Sequence, residues 1–199
     1  MPLFDTFAEP LAVSTGVVAL AEIGDKTQLL AFLLAARFKK PLPIVAGIFV
    51  ATVLNHALAG ALGAWITSAL SPEVLRWGLG LSFIAMAVWT LIPDEIEDEE
   101  AQVAQRFGVF GATLVTFFIA EMGDKTQIAT VAMAARYADA VWVVMGSTLG
   151  MLIANVPAVY AGDKLAGRIP MRLVHGIAAG IFALLGVATL MGAGRSLGF

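Results

Sequence analysis

A chain of 199 residues with 59% hydrophobic and only 14% charged side chains, a mean hydropathy of +0.87 and a net charge of −3 has too little polar surface for a core enclosed in water. That excludes an ordinary soluble globule and predicts an all-α integral membrane protein. The absence of cysteine excludes disulfides and thiolate metal sites, and no nucleic-acid partner is expected.

The first ten residues, MPLFDTFAEP, carry Asp5 and Glu9 and no Lys or Arg. This is unlike the start of a secretory signal peptide, so the first apolar segment is expected to be retained. Six segments follow that approach the roughly 20 apolar residues of a membrane-spanning helix. They run from Leu11 to Ala36, Leu42 to Ile66, Val74 to Ile92, Val109 to Ala135, Ala140 to Ala161 and Leu173 to Gly192. Pro41 and Pro43, Ser71-Pro72, Asp139, and Gly167 to Pro170 punctuate the short connections. The central connection stands apart, with six acids between Asp94 and Glu100, without which the net charge would be +3. The expected organisation is a first three-helix unit at 1–93, an acidic linker at 94–107 and a second three-helix unit at 108–199.

The two units are copies. EIGDKTQ at 22–28 returns as EMGDKTQ at 121–127, and LAARF at 34–38 returns as MAARY at 133–137, both offset by 99 residues. Three spans per copy make the second copy enter the membrane from the opposite side. The predicted fold is therefore two inverted-topology three-helix repeats about a pseudo-two-fold axis in the membrane plane, with the repeated motifs meeting near it. Arg37, Lys39, Lys40, Arg106, Lys164, Arg168 and Arg172 fall on one side, and Arg76, Arg136 and Arg195 on the other. The richer side is expected to be cytoplasmic, which puts both termini outside and the acidic linker in the cytoplasm. Trp65, Trp77 and Trp142 then fall at the outer interface and Trp89 near the inner one.

Glu22 and Glu121 each sit roughly 16–18 Å into their segments at 1.5 Å per residue, near the midplane. Ionisable groups at that depth face a bundle interior or a water-filled cavity. On a continuous helix, Glu22, Asp25 and Lys26 share an arc of roughly 100°, as do Glu121, Asp124 and Lys125. Together the two faces hold four carboxylates and two ammonium groups, a residual charge of about −2 that a divalent cation would neutralise. These oxygen ligands suit Ca²⁺, Mg²⁺ or Mn²⁺, with no Cys or His cluster to favour zinc or copper. Gly24 and Gly123 allow close helix approach or a local break. With a break, the amides of Gln28 and Gln127 and the hydroxyls of Thr27 and Thr126 could add ligands. The plainer alternative is a structural salt-bridge cluster, with Glu22 and Lys26 paired at i, i+4.

Twin E-x-G-D-[KR]-[TS] motifs in a six-span chain with an acidic central loop resemble a calcium/manganese cation transporter family. It includes the Golgi manganese/calcium transporter and bacterial manganese exporters of the MneA and Mnx type. The resemblance covers nearly the whole chain. It implies a secondary transporter moving Mn²⁺ or Ca²⁺ out of the cytosol in exchange for protons, with no cofactor, in a bacterial inner membrane. Carried onto this sequence, it implies Glu22, Asp25, Glu121 and Asp124 as cation ligands, with Lys26, Thr27, Lys125 and Thr126 completing the motifs.

Protons and a metal ion can compete for the same buried carboxylates, and alternating access would turn that competition into antiport. No G-x-x-x-x-G-K-[ST] loop is present, so coupling to ATP within this chain is not expected. Asn55 and Asn155, offset by 100, read either as further ligands or as interhelical hydrogen-bonding residues. His56 reads as a packing residue or a proton relay, His175 as interfacial, and Asp163 with Lys164 as a solvated pair. The acidic linker reads as a solvated tether or a cation-concentrating mouth. Gly176 and Gly180 suit packing within the bundle or a homodimer face. Two other classes remain: an intramembrane metal-dependent enzyme, for which the sequence offers no nucleophile paired with a base and no H-E-x-x-H, and a non-transporting membrane scaffold.

Overall fold

The computed structural model describes residues 4–92, 108–161 and 171–192. The described residues form eight helices: α1 (Phe4–Glu22), α2 (Lys26–Phe38), α3 (Pro41–Ala69), α4 (Pro72–Trp89), α5 (Gly108–Glu121), α6 (Lys125–Tyr137), α7 (Ala140–Ala161) and α8 (Met171–Leu190). Among the described residues there is no strand. The acidic linker at 94–107, the loop from Gly167 to Pro170, Asp163, Arg106, Lys164, Arg168 and Arg195 lie outside the described residues, as do the side chains of Arg172 and His175. Pro41 and Pro72 start α3 and α4, where a missing N–H costs no helical hydrogen bond.

Four expected spans are single helices, but the first and fourth are each broken in two. Glu22 is the last residue of α1 and Asp25 stands at the position just before α2; Glu121 ends α5 and Asp124 caps α6. The breaks fall on Gly24 and Gly123, with φ of 86° and 78°, a left-handed conformation that favours glycine. This corrects the expectation that Glu22, Asp25 and Lys26 share one helical face. A carboxylate now ends one half-helix and another begins the next, so the two are juxtaposed by a turn instead of by helical periodicity. The same conformation recurs at Lys39 and Ala138, again 99 residues apart, with φ of 53° and 49°.

The two copies are packed by the same contact made twice. α1 lies closely along α7, and α5 along α3. A Cβ on Gly146 would stand 2.5 Å from the Leu11 carbonyl oxygen, and one on Gly47 would stand 2.9 Å from that of Phe110. The offset of 99 relates Gly47 to Gly146, and Leu11 to Phe110. Close backbone approach through small residues is how helices associate where lipid removes the hydrophobic drive. α4 packs on α8, whereas a Cβ on Gly176 or Gly180 of α8 would meet nothing within 4 Å among the described residues.

Polarity is inverted relative to a soluble protein. Leu54, Leu58, Leu62, Trp65, Ile153 and Leu184 are exposed, while Ser14, Thr52, Asn55, His56, Thr130 and Asn155 are buried. Helices α3 and α7 are long and apolar enough to cross a membrane by length and composition. The apolar interior forms two clusters. One gathers Val17, Val18, Phe83, Met86, Met133, Met151 and Phe182, and the other gathers Leu30, Ile44, Ile48, Phe117 and Ala158. The first joins residues of α1 to α6, the second residues of α2 to α5, and the charged turns lie where these half-helices end.

Candidate functional site

Glu22, Asp25 and Glu121 each present one carboxylate oxygen to a group whose members all lie within 4.8 Å of one another. All three side chains are fully buried. Three anions so placed repel by about 3.5 kcal/mol per pair at an effective dielectric of about 20, so the arrangement calls for protons or a cation. The centre of a triangle with such edges lies at most about 2.8 Å from each oxygen, and a small contraction reaches the 2.3–2.6 Å of Ca²⁺ or the shorter distances of smaller hard cations. The first motif supplies two of these oxygens and the second supplies one.

Local hydrogen bonds aim the carboxylates. The Thr27 hydroxyl donates to Glu22 Oε2 at 2.6 Å, and the Thr126 hydroxyl donates to Glu121 Oε2 at 3.0 Å. In each glutamate Oε1 is buried without a hydrogen-bond partner. The threonines thus fix one oxygen and leave the other for a ligand. Each turn is closed by its glutamine: the Gly24 N–H donates to Gln28 Oε1 at 2.9 Å, and the Gly123 N–H donates to Gln127 Oε1 at 2.7 Å. The amide oxygens offered by the sequence as extra ligands are therefore occupied in holding the break.

A sequence model of the GDT1 family, described as "Divalent cation/proton antiporter GDT1", matches the chain twice, at residues 10–98 and 109–196. The chain belongs to the GDT1 family. It is 54% identical over 180 residues to a Vibrio cholerae protein named "Putative manganese exporter", covering 90% of this chain and 89% of that one. A "GDT1-like protein 3" of Oryza sativa subsp. indica is 30% identical, covering 90% of this chain and 71% of the relative. A GDT1-like protein of Synechocystis is also 30% identical, covering 87% and 92%. No solved structure matches. Membership makes this GDT1 chain a helical membrane transporter of a divalent cation/proton antiporter family, in keeping with its exposed apolar faces.

The expected site residues divide by position. Asp124 is buried and within electrostatic range of Glu22 and Glu121, but its Oδ2 accepts from the Thr126 N–H at 3.3 Å as the cap of α6. Asp25 makes no side-chain cap bond to α2 and instead pairs with Lys125 of the other copy. Lys125 is buried, whereas Lys26 is half-buried. Asn55 donates to the Phe118 carbonyl at 3.1 Å and accepts from Gln127 Nε2 at 3.3 Å, so it ties α3 to the second motif as an interhelical bridge. Asn155 donates to the Met151 carbonyl at 3.1 Å, and its Oδ1 is buried without a partner. Gln28 Nε2 donates to the Ala154 carbonyl at 3.0 Å, the matching bridge from the first motif to α7.

Sequence reading missed the threonines elsewhere in the interior. Thr52 Oγ1 and Thr148 Oγ1 are buried without partners, as are both ring nitrogens of His56, one turn from Thr52 on α3. Hydroxyls in an apolar run carry no periodic signal, because Thr satisfies itself on the preceding turn as readily as it lines a path.

Proposed function

We propose that this protein exports Mn²⁺ from the bacterial cytoplasm across the inner membrane in exchange for protons. The observation that carries the reading is the meeting of Glu22, Asp25 and Glu121, from two copies of one motif, around a point that a hard divalent cation fits. Glu22, Asp25 and Glu121 are the proposed ligands, with Asp124 joining from its cap position and Thr27 and Thr126 orienting the glutamates. Ca²⁺ takes the same ligand set and is the natural competitor. The name of the Vibrio relative favours manganese.

Antiport follows from the carboxylates alone. Buried anions within 4.8 Å of one another must be neutralised; Lys125 offsets one of them, and the rest take protons or share one metal ion, so those two ligands compete. In the proposed architecture the eight described helices make six spans, two of them broken, arranged as two inverted three-helix repeats. Both termini lie outside and the acidic linker lies in the cytoplasm. The doubled family match and the twice-made Gly47 and Gly146 contacts support that symmetry. Rocking of one copy against the other would expose the cluster to each side in turn.

The test is flux in proteoliposomes under an imposed pH gradient. Mn²⁺ uptake driven by the gradient, accompanied by proton movement in the opposite direction, is the expected result. Purified, folded protein that moves neither Mn²⁺ nor Ca²⁺ would overturn the proposal.

A further inference from the structure

We propose that Lys125 is a tethered counter-ion: it holds Asp25 in the cation-free carrier and is displaced when the divalent cation binds, and Lys26 does the same for Asp124 when the two halves exchange roles. This rests on the reading of the carboxylate cluster as the cation site and adds to it an internal competitor.

Lys125 and Asp25 form an ion pair between the copies, with 1% and 0% of their side chains exposed. Burying an ammonium that deep costs several kcal/mol unless a partner offsets it, so its placement is dictated by the anion. That anion is one of the three carboxylates that converge. A divalent cation and the Lys125 ammonium therefore seek the same group, and a divalent cation in contact with Asp25 leaves the ammonium both superfluous and repelled. The ammonium keeps its proton throughout; what changes is its position, which a flexible four-carbon stem permits.

The alternation comes from comparing near-identical sequences in unlike arrangements. EIGDKTQ and EMGDKTQ differ only at Ile23 and Met122. In the second motif the aspartate caps its own helix through Thr126 and the lysine is buried across the interface. In the first, the aspartate makes no side-chain cap bond and the lysine is half-buried. Two heptapeptides alike at every position but that of Ile23 and Met122 thus adopt two arrangements within one molecule. The surrounding helices, themselves related by the repeat, differ in how they hold each copy. Movement that reverses the asymmetry would release Lys125 from Asp25, let Asp25 cap α2, and bring Lys26 to Asp124.

Mn²⁺ affinity of the purified protein tests this, using Lys125→Met and Lys125→Arg. Lys125→Met removes the competitor and is expected to bind Mn²⁺ about tenfold more tightly. Lys125→Arg keeps the charge and adds a forked donor that grips a carboxylate harder, and is expected to bind about threefold more weakly or worse. A merely structural lysine predicts that Met weakens or spares binding and that Arg spares it. Unchanged or weaker affinity in folded Lys125→Met overturns the proposal. If Lys125→Met does not fold, Lys125→Arg decides, and affinity equal to or tighter than wild type overturns it. In oriented proteoliposomes, Lys125→Met should lower the KM for Mn²⁺ on one face and Lys26→Met on the other; both acting on the same face would refute the exchange of roles. Wild-type protein that neither binds nor moves Mn²⁺ would defeat the transport reading itself, whatever the lysine variants do.

Discussion

Replacing Glu22 by glutamine keeps the shape of the side chain and an oxygen for the Thr27 hydroxyl, and removes one unit of charge from the cluster. With a dication at most about 2.8 Å from the oxygen and an effective dielectric of about 20, the lost attraction is about 12 kcal/mol. The repulsion among the carboxylates is the same with the cation present or absent and cancels from the binding difference. The value of about 12 kcal/mol is a ceiling, because protons compete with the cation for Glu22 and the glutamine oxygen remains a neutral ligand. Even a quarter of it weakens Mn²⁺ binding by about a hundredfold. Titration of the purified variant with Mn²⁺, followed by calorimetry or by the free-ion EPR signal, measures the loss directly. Glu73, exposed at the start of α4, provides the matched control, since Glu73→Gln removes equal charge far from the cluster. Wild-type affinity in Glu22→Gln, with an unchanged melting temperature, would refute the cluster as the cation site.

Thr126→Val deletes the hydroxyl that donates to Glu121 at 3.0 Å and leaves a buried carboxylate oxygen without its donor, a loss of about 1.5–3 kcal/mol read as a lower melting temperature in detergent. Gly146→Leu would drive a side chain into the Leu11 carbonyl and should prevent recovery of folded protein, whereas Gly16→Ala, with nothing within 4 Å among the described residues, should be recovered normally; size-exclusion profiles separate the two. Ala138→Gly relieves a left-handed residue at the end of α6 with φ of 49° and should stabilise by about 1 kcal/mol, seen as a raised melting temperature.

The cluster was legible in the sequence because it is written twice. Identity of EIGDKTQ and EMGDKTQ across 99 residues implies equivalent positions, and charge at midplane depth implies a shared interior. Gly24 and Gly123 signalled a break, but the face argument assumed an unbroken helix, and hydropathy cannot choose because it averages over the turn. What the sequence could not carry is the difference between the copies. Asn55 bridges to Gln127 while Asn155 turns back on its own helix, and Lys125 is buried where Lys26 is not. Equal residues predict equal environments, so any departure belongs to the conformation adopted and is invisible in composition or spacing. The capping role of Asp124 was hidden for a related reason, since a cap exists only once the helix is known to restart there.

The same architecture constrains how the protein is made. Only α3 and α7, among the described helices, are long and apolar enough to cross a membrane by length and composition, and each charge in a broken span opposes insertion by about 2.5–3.5 kcal/mol. The first broken span leaves the ribosome well before its shelter exists, for Gln28 bonds to Ala154, 126 residues later. Until α7 arrives, α1 lacks the helix it packs along and Gln28 lacks the Ala154 carbonyl that ties the first motif to it. A nascent first half therefore holds its acids toward the headgroups or the translocation channel, and synthesis of the second half draws them inward. Truncation anywhere before α7 should leave a chain that quality-control proteases recognise, and two separately expressed halves should rescue one another only when present together.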